Sequence, residues 1–111
     1  PYAALAPFHM WILPRRHTES FGDITEEEIT DLAKNLKLTL AKLYYALDNP
    51  DYNFVIRSVP VNEKGKEYYH WYITIMPRLI KTAGFEIGTG MSINSSIPEE
   101  NAKFLREIKV R

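Results

Sequence analysis

Apolar side chains recur at Ile29, Leu32, Ala33, Leu36, Leu40, Leu43 and Leu47, three or four residues apart, with charged and polar residues between them. That spacing predicts an amphipathic helix of about six turns. Thr25-Glu26-Glu27-Glu28 supplies its start as a capping box, and the three acids suit the positive end of the helix dipole. Asp48-Asn49-Pro50 marks its end, because proline cannot extend a helix. Elsewhere the apolar positions run in short β-branched and aromatic stretches. Phe8 to Leu13 lies between Pro7 and Pro14 and reads as a strand, Tyr52 to Val59 as a second, and Tyr68 to Met76 as a third. Phe21-Gly22-Asp23 is a turn, and Pro60 to Lys66 a charged loop in which Gly65 favours a turn. Ala83 to Ile93, interrupted by Gly84, Gly88 and Gly90, is expected as a further strand. Ser96-Ile97-Pro98-Glu99 reads as a second capping box ahead of a final helix whose apolar side carries Ala102, Phe104, Leu105 and Ile108. The expected architecture is α+β over a single domain, residues 1–111: a mostly antiparallel sheet, a long amphipathic helix packed on it and a C-terminal helix.

Composition narrows the function classes. Fourteen basic and fourteen acidic residues give a formal net charge of zero, so no general electrostatic pull acts toward nucleic acid or an anionic membrane. No apolar run approaches the roughly 20 residues of a membrane helix. Cysteine is absent, which excludes disulfides, thiolate nucleophiles and Cys-rich zinc sites and fits a cytoplasmic protein. The chain opens on proline, so either an initiator methionine has been removed or these residues are a piece of a longer chain.

Candidate chemistry concentrates on the third strand. Alternation along Tyr69-His70-Trp71-Tyr72-Ile73-Thr74-Ile75-Met76-Pro77 places His70, Tyr72, Thr74 and Met76 on one face and Trp71, Ile73 and Ile75 on the other. The first set can line a cleft or make an ordinary half-solvated face; the second set reads as core. Arg15, Arg16 and His17 form a basic cluster able to meet a phosphate, although such a cluster at a strand end is more often solvated. His9, on an apolar strand, reads as structural.

The segment from His70 resembles the histidine-triad motif, in which histidines alternate with apolar residues. More narrowly, the chain is similar to the carboxyl-terminal half of the galactose-1-phosphate uridylyltransferase family. The matching segments are Phe8 to His17, Tyr52 to Ile56, His70 to Leu79, Ala83 to Asn94 and the helix beginning Pro98-Glu99-Glu100. The resemblance implies a histidine-triad-like fold. It also implies a mechanism in which a histidine of the amino-terminal half attacks the α-phosphate of UDP-glucose and passes the uridylyl group to a hexose 1-phosphate. Here His70 matches the first triad histidine, while Tyr72 stands at the second position and Thr74 at the third. A phenol with a pKa of about 10 is protonated at neutral pH and is a poor phosphoryl acceptor, so this chain carries no nucleophile.

What the resemblance leaves to the chain is ligand contact. It implies substrate-binding roles for His70, Tyr72, Thr74, Phe85, Glu86, Arg57 and Arg78, with Glu86 accepting from hexose hydroxyls. The family's zinc site belongs to the other half. Some members hold an iron through histidines of this strand and one on the preceding strand, but Tyr72 and Arg57 stand at those places, so no cofactor or metal is expected. The expected partners are a nucleotide sugar or sugar phosphate, the amino-terminal half of the same protein and, for a surface this aromatic, a second copy. The alternatives are a stand-alone nucleotide or nucleotide-sugar binding module without turnover, and a transferase or phosphorylase for another nucleotide such as ADP-glucose.

Overall fold

The computed structural model describes residues 1–63, 65 and 67–111. The long helix, α1, spans Glu26–Leu47. Its capping box is complete, with the Thr25 hydroxyl accepting from the Glu28 N–H at 3.2 Å and the Glu28 carboxylate accepting from the Thr25 N–H at 3.1 Å. It ends as Asp48 and Asn49 turn into the left-handed region ahead of Pro50. Strands β1 (Met10–Ile12), β2 (Tyr52–Arg57) and β3 (Tyr72–Pro77) form an antiparallel sheet in the order β1-β3-β2. β3 is central: Thr74 lies opposite Trp11 on one side and Val55 on the other, and Tyr72 lies opposite Arg57.

The core forms where α1 and the final helix, α3 (Pro98–Glu107), cover one sheet face. Leu43, Trp71, Ile73, Ile75 and Leu105 are buried there, with Met10, Ile12, Leu32, Leu36 and Leu40 packed around them. Lys42 of α1 donates to the Leu105 carbonyl at 2.8 Å and so holds the end of α3 against α1. β2 contributes nothing to this cluster. It is an edge strand with all six residues exposed, and Phe54 and Ile56, although paired with Ile75 and Ile73, lie outside the helices' cover.

Besides β2, which stops at Arg57 short of the expected Val59, four elements differ from expectation. β1 is only three residues long, because Phe8 sits at φ 60 in a turn closed by the His9 N–H on the Ala6 carbonyl. β3 begins at Tyr72 rather than Tyr68. Its neighbours have already left the ladder, β1 after Ile12 and β2 after Arg57, and the Val59 and Trp71 N–H groups turn instead to the Glu19 and Thr18 carbonyls, both at 3.0 Å. The third difference is at Ala83 to Ile93, where the expected strand is replaced by a short helix, α2 (Gly84–Thr89). The Glu86 carboxylate accepts from the Ala83 N–H at 3.1 Å, and Gly90, at φ 71, closes the far end with its N–H on the Glu86 carbonyl. The glycines therefore punctuate a helix instead of bulging a strand.

The last difference is the second capping box, which does not form. Ile97 is the N-cap and Pro98 the first helical residue. Ser96 instead donates to the Asn94 side chain and accepts from that of Asn101, both at 2.8 Å. The expected turn at Phe21–Asp23 is a single 3-10 turn. In the expected loop over 60–66, Val61–Glu63 makes another and Gly65 has φ 93, while Lys64 and Lys66 lie outside the described residues.

Candidate functional site

The sheet face turned away from the helices gathers three of the seven expected residues, Tyr72, Thr74 and Arg57. Alternation on β3 puts Tyr72, Thr74 and Met76 there, and the register adds Trp11 from β1 and Val55 and Arg57 from β2. Trp11 and Tyr72 stack obliquely, with ring centroids 4.7 Å apart and planes at 38°. Trp11 is 44% exposed and Arg57 is exposed beside Tyr72. The face therefore offers two aromatic surfaces with a guanidinium at their edge, a combination that suits a planar ring bearing an anionic group.

Thr74 is only 4% exposed and its hydroxyl is already engaged, lying 2.6 Å from Nε2 of His9. His9, 8% exposed, also takes the Leu5 N–H on Nδ1 at 3.3 Å, and the Trp11 indole N–H points at Nε2 from 3.2 Å. A neutral imidazole has one N–H and one lone pair, so it cannot accept at both nitrogens. The Leu5 and Trp11 contacts with the ring are both part-buried. A ring that accepts from Leu5 at Nδ1 has its Nε2–H to donate to Thr74, and one that accepts from Trp11 at Nε2 gives that up. Burial, reinforced by the positive amino terminus, holds the His9 pKa below its ordinary value and keeps the ring neutral.

His70 stands apart from this face. It precedes β3, so strand alternation does not set its direction. Its ring faces that of His17, with centroids 5.1 Å apart, and its Nδ1 lies 3.0 Å from the Trp71 carbonyl. His17 is fixed by Nε2 donating to the Tyr69 carbonyl at 2.8 Å. His17 borders a polar cleft of about 510 Å³ lined also by Glu19, Asp23 and Tyr69 among others. Of the basic cluster, Arg16 is committed elsewhere, donating at 2.8 Å to Glu28 and at 2.9 Å to the Asp23 carbonyl. The Arg16 guanidinium, followed by the Thr25 N–H, holds the Glu28 carboxyl below its usual range. Glu86 and Phe85 sit together on α2, with Phe85 52% exposed and Glu86 half-buried. The Arg78 side chain is exposed at the end of β3, where its backbone N–H donates to the Asp51 carbonyl at 2.7 Å. Among the described residues no hydrogen bond or ring contact links Phe85, Glu86 or Arg78 to the Tyr72 face.

The residues do not fit the iron that some members of the resembled family hold. Arg57 offers a guanidinium and Tyr72 a phenol where the resembled set has imidazoles, so His70 is the one nitrogen donor left of it, and its ring stands apart from Tyr72 and Arg57 beside His17. Among the described residues no cluster of three or more His, Cys, Asp or Glu side chains forms. Sequence reasoning passed over Trp11 and the chemistry of His9. The available signal was that both alternate onto one side of the first strand.

No family model matches the chain. ADP-glucose phosphorylase of Arabidopsis thaliana is 41% identical over 112 residues, which cover 99% of this chain and 32% of the relative. Galactose-1-phosphate uridylyltransferase of Thermotoga maritima is 31% identical, with coverage of 99% and 37%. A crystal structure of an Arabidopsis thaliana ADP-glucose phosphorylase with bound ADP-glucose matches at a TM-score of 0.95 and 39% identity, over 99% of this chain and 36% of that one. A Hit-like protein from Bartonella henselae, at 18% identity and a TM-score of 0.64 over 96% of this chain and 74% of that one, shares the fold. The chain thus spans about a third of the length of its curated relatives.

Proposed function

The chain belongs to the galactose-1-phosphate uridylyltransferase family and corresponds to the carboxyl-terminal half of its members, and on that premise we propose that it is the ligand-contacting, non-nucleophilic domain of a nucleotidyltransferase acting on a nucleotide sugar. The observation that carries the reading is Tyr72: a phenol in a half-buried stack with Trp11 stands where the family pattern would place an imidazole. The nucleophile then comes from elsewhere, in the first instance the amino-terminal half of the same protein. Arg57 and Arg78 contact phosphate, Tyr72 and His70 the ring or ribose, and Phe85 and Glu86 the hexose. Thr74 acts by holding its strand, since its hydroxyl is taken by His9.

ADP-glucose ranks ahead of UDP-glucose as ligand, because the relative named for it is 41% identical and the relative named for galactose 1-phosphate 31%. β2 is the docking edge for the missing half or a second copy. Among the described residues no strand pairs with its outer side, and Tyr52, Phe54, Val55 and Ile56 are all exposed. The cysteine-free composition supports a cytoplasmic location.

Calorimetric titration of the folded chain with ADP-glucose and UDP-glucose tests this reading, together with intact mass after incubation. Expected are heat with ADP-glucose, reduced at least tenfold in affinity by Arg57→Ala, and no covalent adduct. A nucleotidyl adduct on this chain, or no heat with either ligand, overturns the proposal.

A further inference from the structure

The resemblance assigns no role to Trp11. We propose that Trp11 sets which base the sheet face takes: with Tyr72 it is the platform on which the base of the nucleotide sugar lies, Arg57 holds the adjoining phosphate, and the platform selects a purine over a pyrimidine. This inference rests on the reading of that face as part of a nucleotide-sugar site.

Three observations carry it. The first is the layout. Trp11, Tyr72 and Arg57 form a row across all three strands, with Tyr72 opposite Arg57 and the Trp11 and Tyr72 rings 4.7 Å apart at 38°. Trp11 lies on β1 and Arg57 on β2, the two flanks of β3. Two strand spacings, about 10 Å, separate them, and an arginine side chain reaching inward lets one base and its own phosphate bridge that gap. The second is charge. Of the described residues that register places on this face of the strands, Arg57 alone is charged, and among the described residues it enters no ion pair. A guanidinium beside two rings suits an anion carried by an aromatic group. The third is what the platform can read. The Trp11 indole N–H is turned to His9, and the Thr74 hydroxyl is bound to the same imidazole, so neither is free to read the edge of a base. Discrimination falls to stacking area, which the two rings of a purine fill better than the one ring of a pyrimidine.

The structure supplies its own reporter. Trp11 is 44% exposed and the other tryptophan, Trp71, is 2% exposed, so a ligand stacked on the platform quenches Trp11 emission and leaves Trp71 unchanged. The test titrates the 111-residue chain with ADP-glucose, UDP-glucose and glucose 1-phosphate, by calorimetry and by tryptophan fluorescence. Expected are quenching by ADP-glucose that is absent in Trp11→Phe, none by glucose 1-phosphate, and tighter binding of ADP-glucose than of UDP-glucose. Trp11→Ala, with its fold checked by circular dichroism, is expected to weaken ADP-glucose about fivefold or more, the loss of one stacked base, and to leave glucose 1-phosphate unchanged. ADP-glucose that binds with heat but without quenching, or with equal affinity in Trp11→Ala, overturns the platform alone and leaves the nucleotide-sugar reading standing. UDP-glucose binding as tightly as ADP-glucose overturns the purine preference. No heat with either nucleotide sugar overturns both readings. If Trp11→Ala does not fold, the wild-type quenching decides, and its absence with bound ADP-glucose refutes the platform.

Discussion

Trp71 is 2% exposed and meets Phe21 edge to face with centroids 5.1 Å apart, yet its indole N–H has no hydrogen-bond partner among the described residues. The two facts pull in opposite directions. A tryptophan buries about 150–250 Å², which at about 25 cal/mol per Å² gives an upper figure of roughly 4–6 kcal/mol. Trp71→Ala should therefore cost about 3–5 kcal/mol, the range found for large aromatic truncations. Trp71→Phe gives up part of the ring, about 1–2 kcal/mol with the residual cavity, and relieves a buried donor whose desolvation costs about 1–3 kcal/mol. Its net effect should fall within about 1 kcal/mol of zero. Both variants keep the backbone donation from residue 71 to the Thr18 carbonyl, so the comparison isolates the side chain. Urea unfolding followed by far-UV circular dichroism reads both values. If Trp71→Phe loses as much stability as Trp71→Ala, the indole N–H has a partner and the argument from an orphaned donor is wrong.

Thr25→Ala removes the hydroxyl that accepts the Glu28 N–H and should cost about 1 kcal/mol in urea unfolding; no loss would show that the cap at α1 is redundant. Gly90→Ala meets no neighbouring atom within 4 Å but must hold φ 71, so it should destabilise by about 1 kcal/mol through backbone strain alone. Burial lowers the folded pKa of His9 below its unfolded value, so between these two values the unfolded chain binds more protons. Stability should be flat above about pH 6.5 and fall as pH drops below it. His9→Gln should remove that component in thermal melts at pH 7.5 and 5.5. Tyr72→His restores an imidazole at the second triad position, but next to Trp11, Arg57 and a Thr74 already held by His9. It should form no nucleotidyl adduct with ADP-glucose by intact mass, and an adduct would show that the phenol alone blocks the chemistry.

Where one strong local rule operated alone, it was legible before the fold. The spacing from Ile29 to Leu47, the threonine cap and Pro50 defined α1 because periodicity, capping and a breaker agreed. Odd–even alternation likewise separated Ile73 and Ile75 from Tyr72 and Thr74. Legibility failed where two rules competed. Over Gly84 to Gly90, β-favouring residues and glycines looked like an interrupted strand. Glu86 capping its own helix start and Gly90 adopting a positive φ decided otherwise, and neither is visible without the backbone path. Strand ends failed for a different reason. Tyr68 to His70 have strand-forming side chains, but a strand needs neighbours, and β1 ends at Ile12 and β2 at Arg57, where the chain turns toward Glu19 instead. His9 was underestimated because its partner is 65 residues away, a separation that spacing arguments do not reach.

The division of β3 into two faces explains how the family can keep its shape while its chemistry changes. The odd residues Trp71, Ile73 and Ile75 carry the packing, and each is almost fully buried against α1 and α3. The even residues Tyr72 and Met76 are half-buried on the opposite face, where a change of side chain opens no cavity beneath the helices. Histidine at position 72 is thus a chemical choice with little hold on the fold. That is consistent with a TM-score of 0.95 to a crystal structure at only 39% identity. Thr74 breaks the rule, since it is an even residue and yet buried. The exception has a cause in His9, which covers it from β1 and binds its hydroxyl. The site face is therefore constrained most at Thr74, where an imidazole reaches across from beside the neighbouring strand. Variation on that face should be tolerated outward from Thr74, at 72 and 76, before it is tolerated at 9 and 74 together.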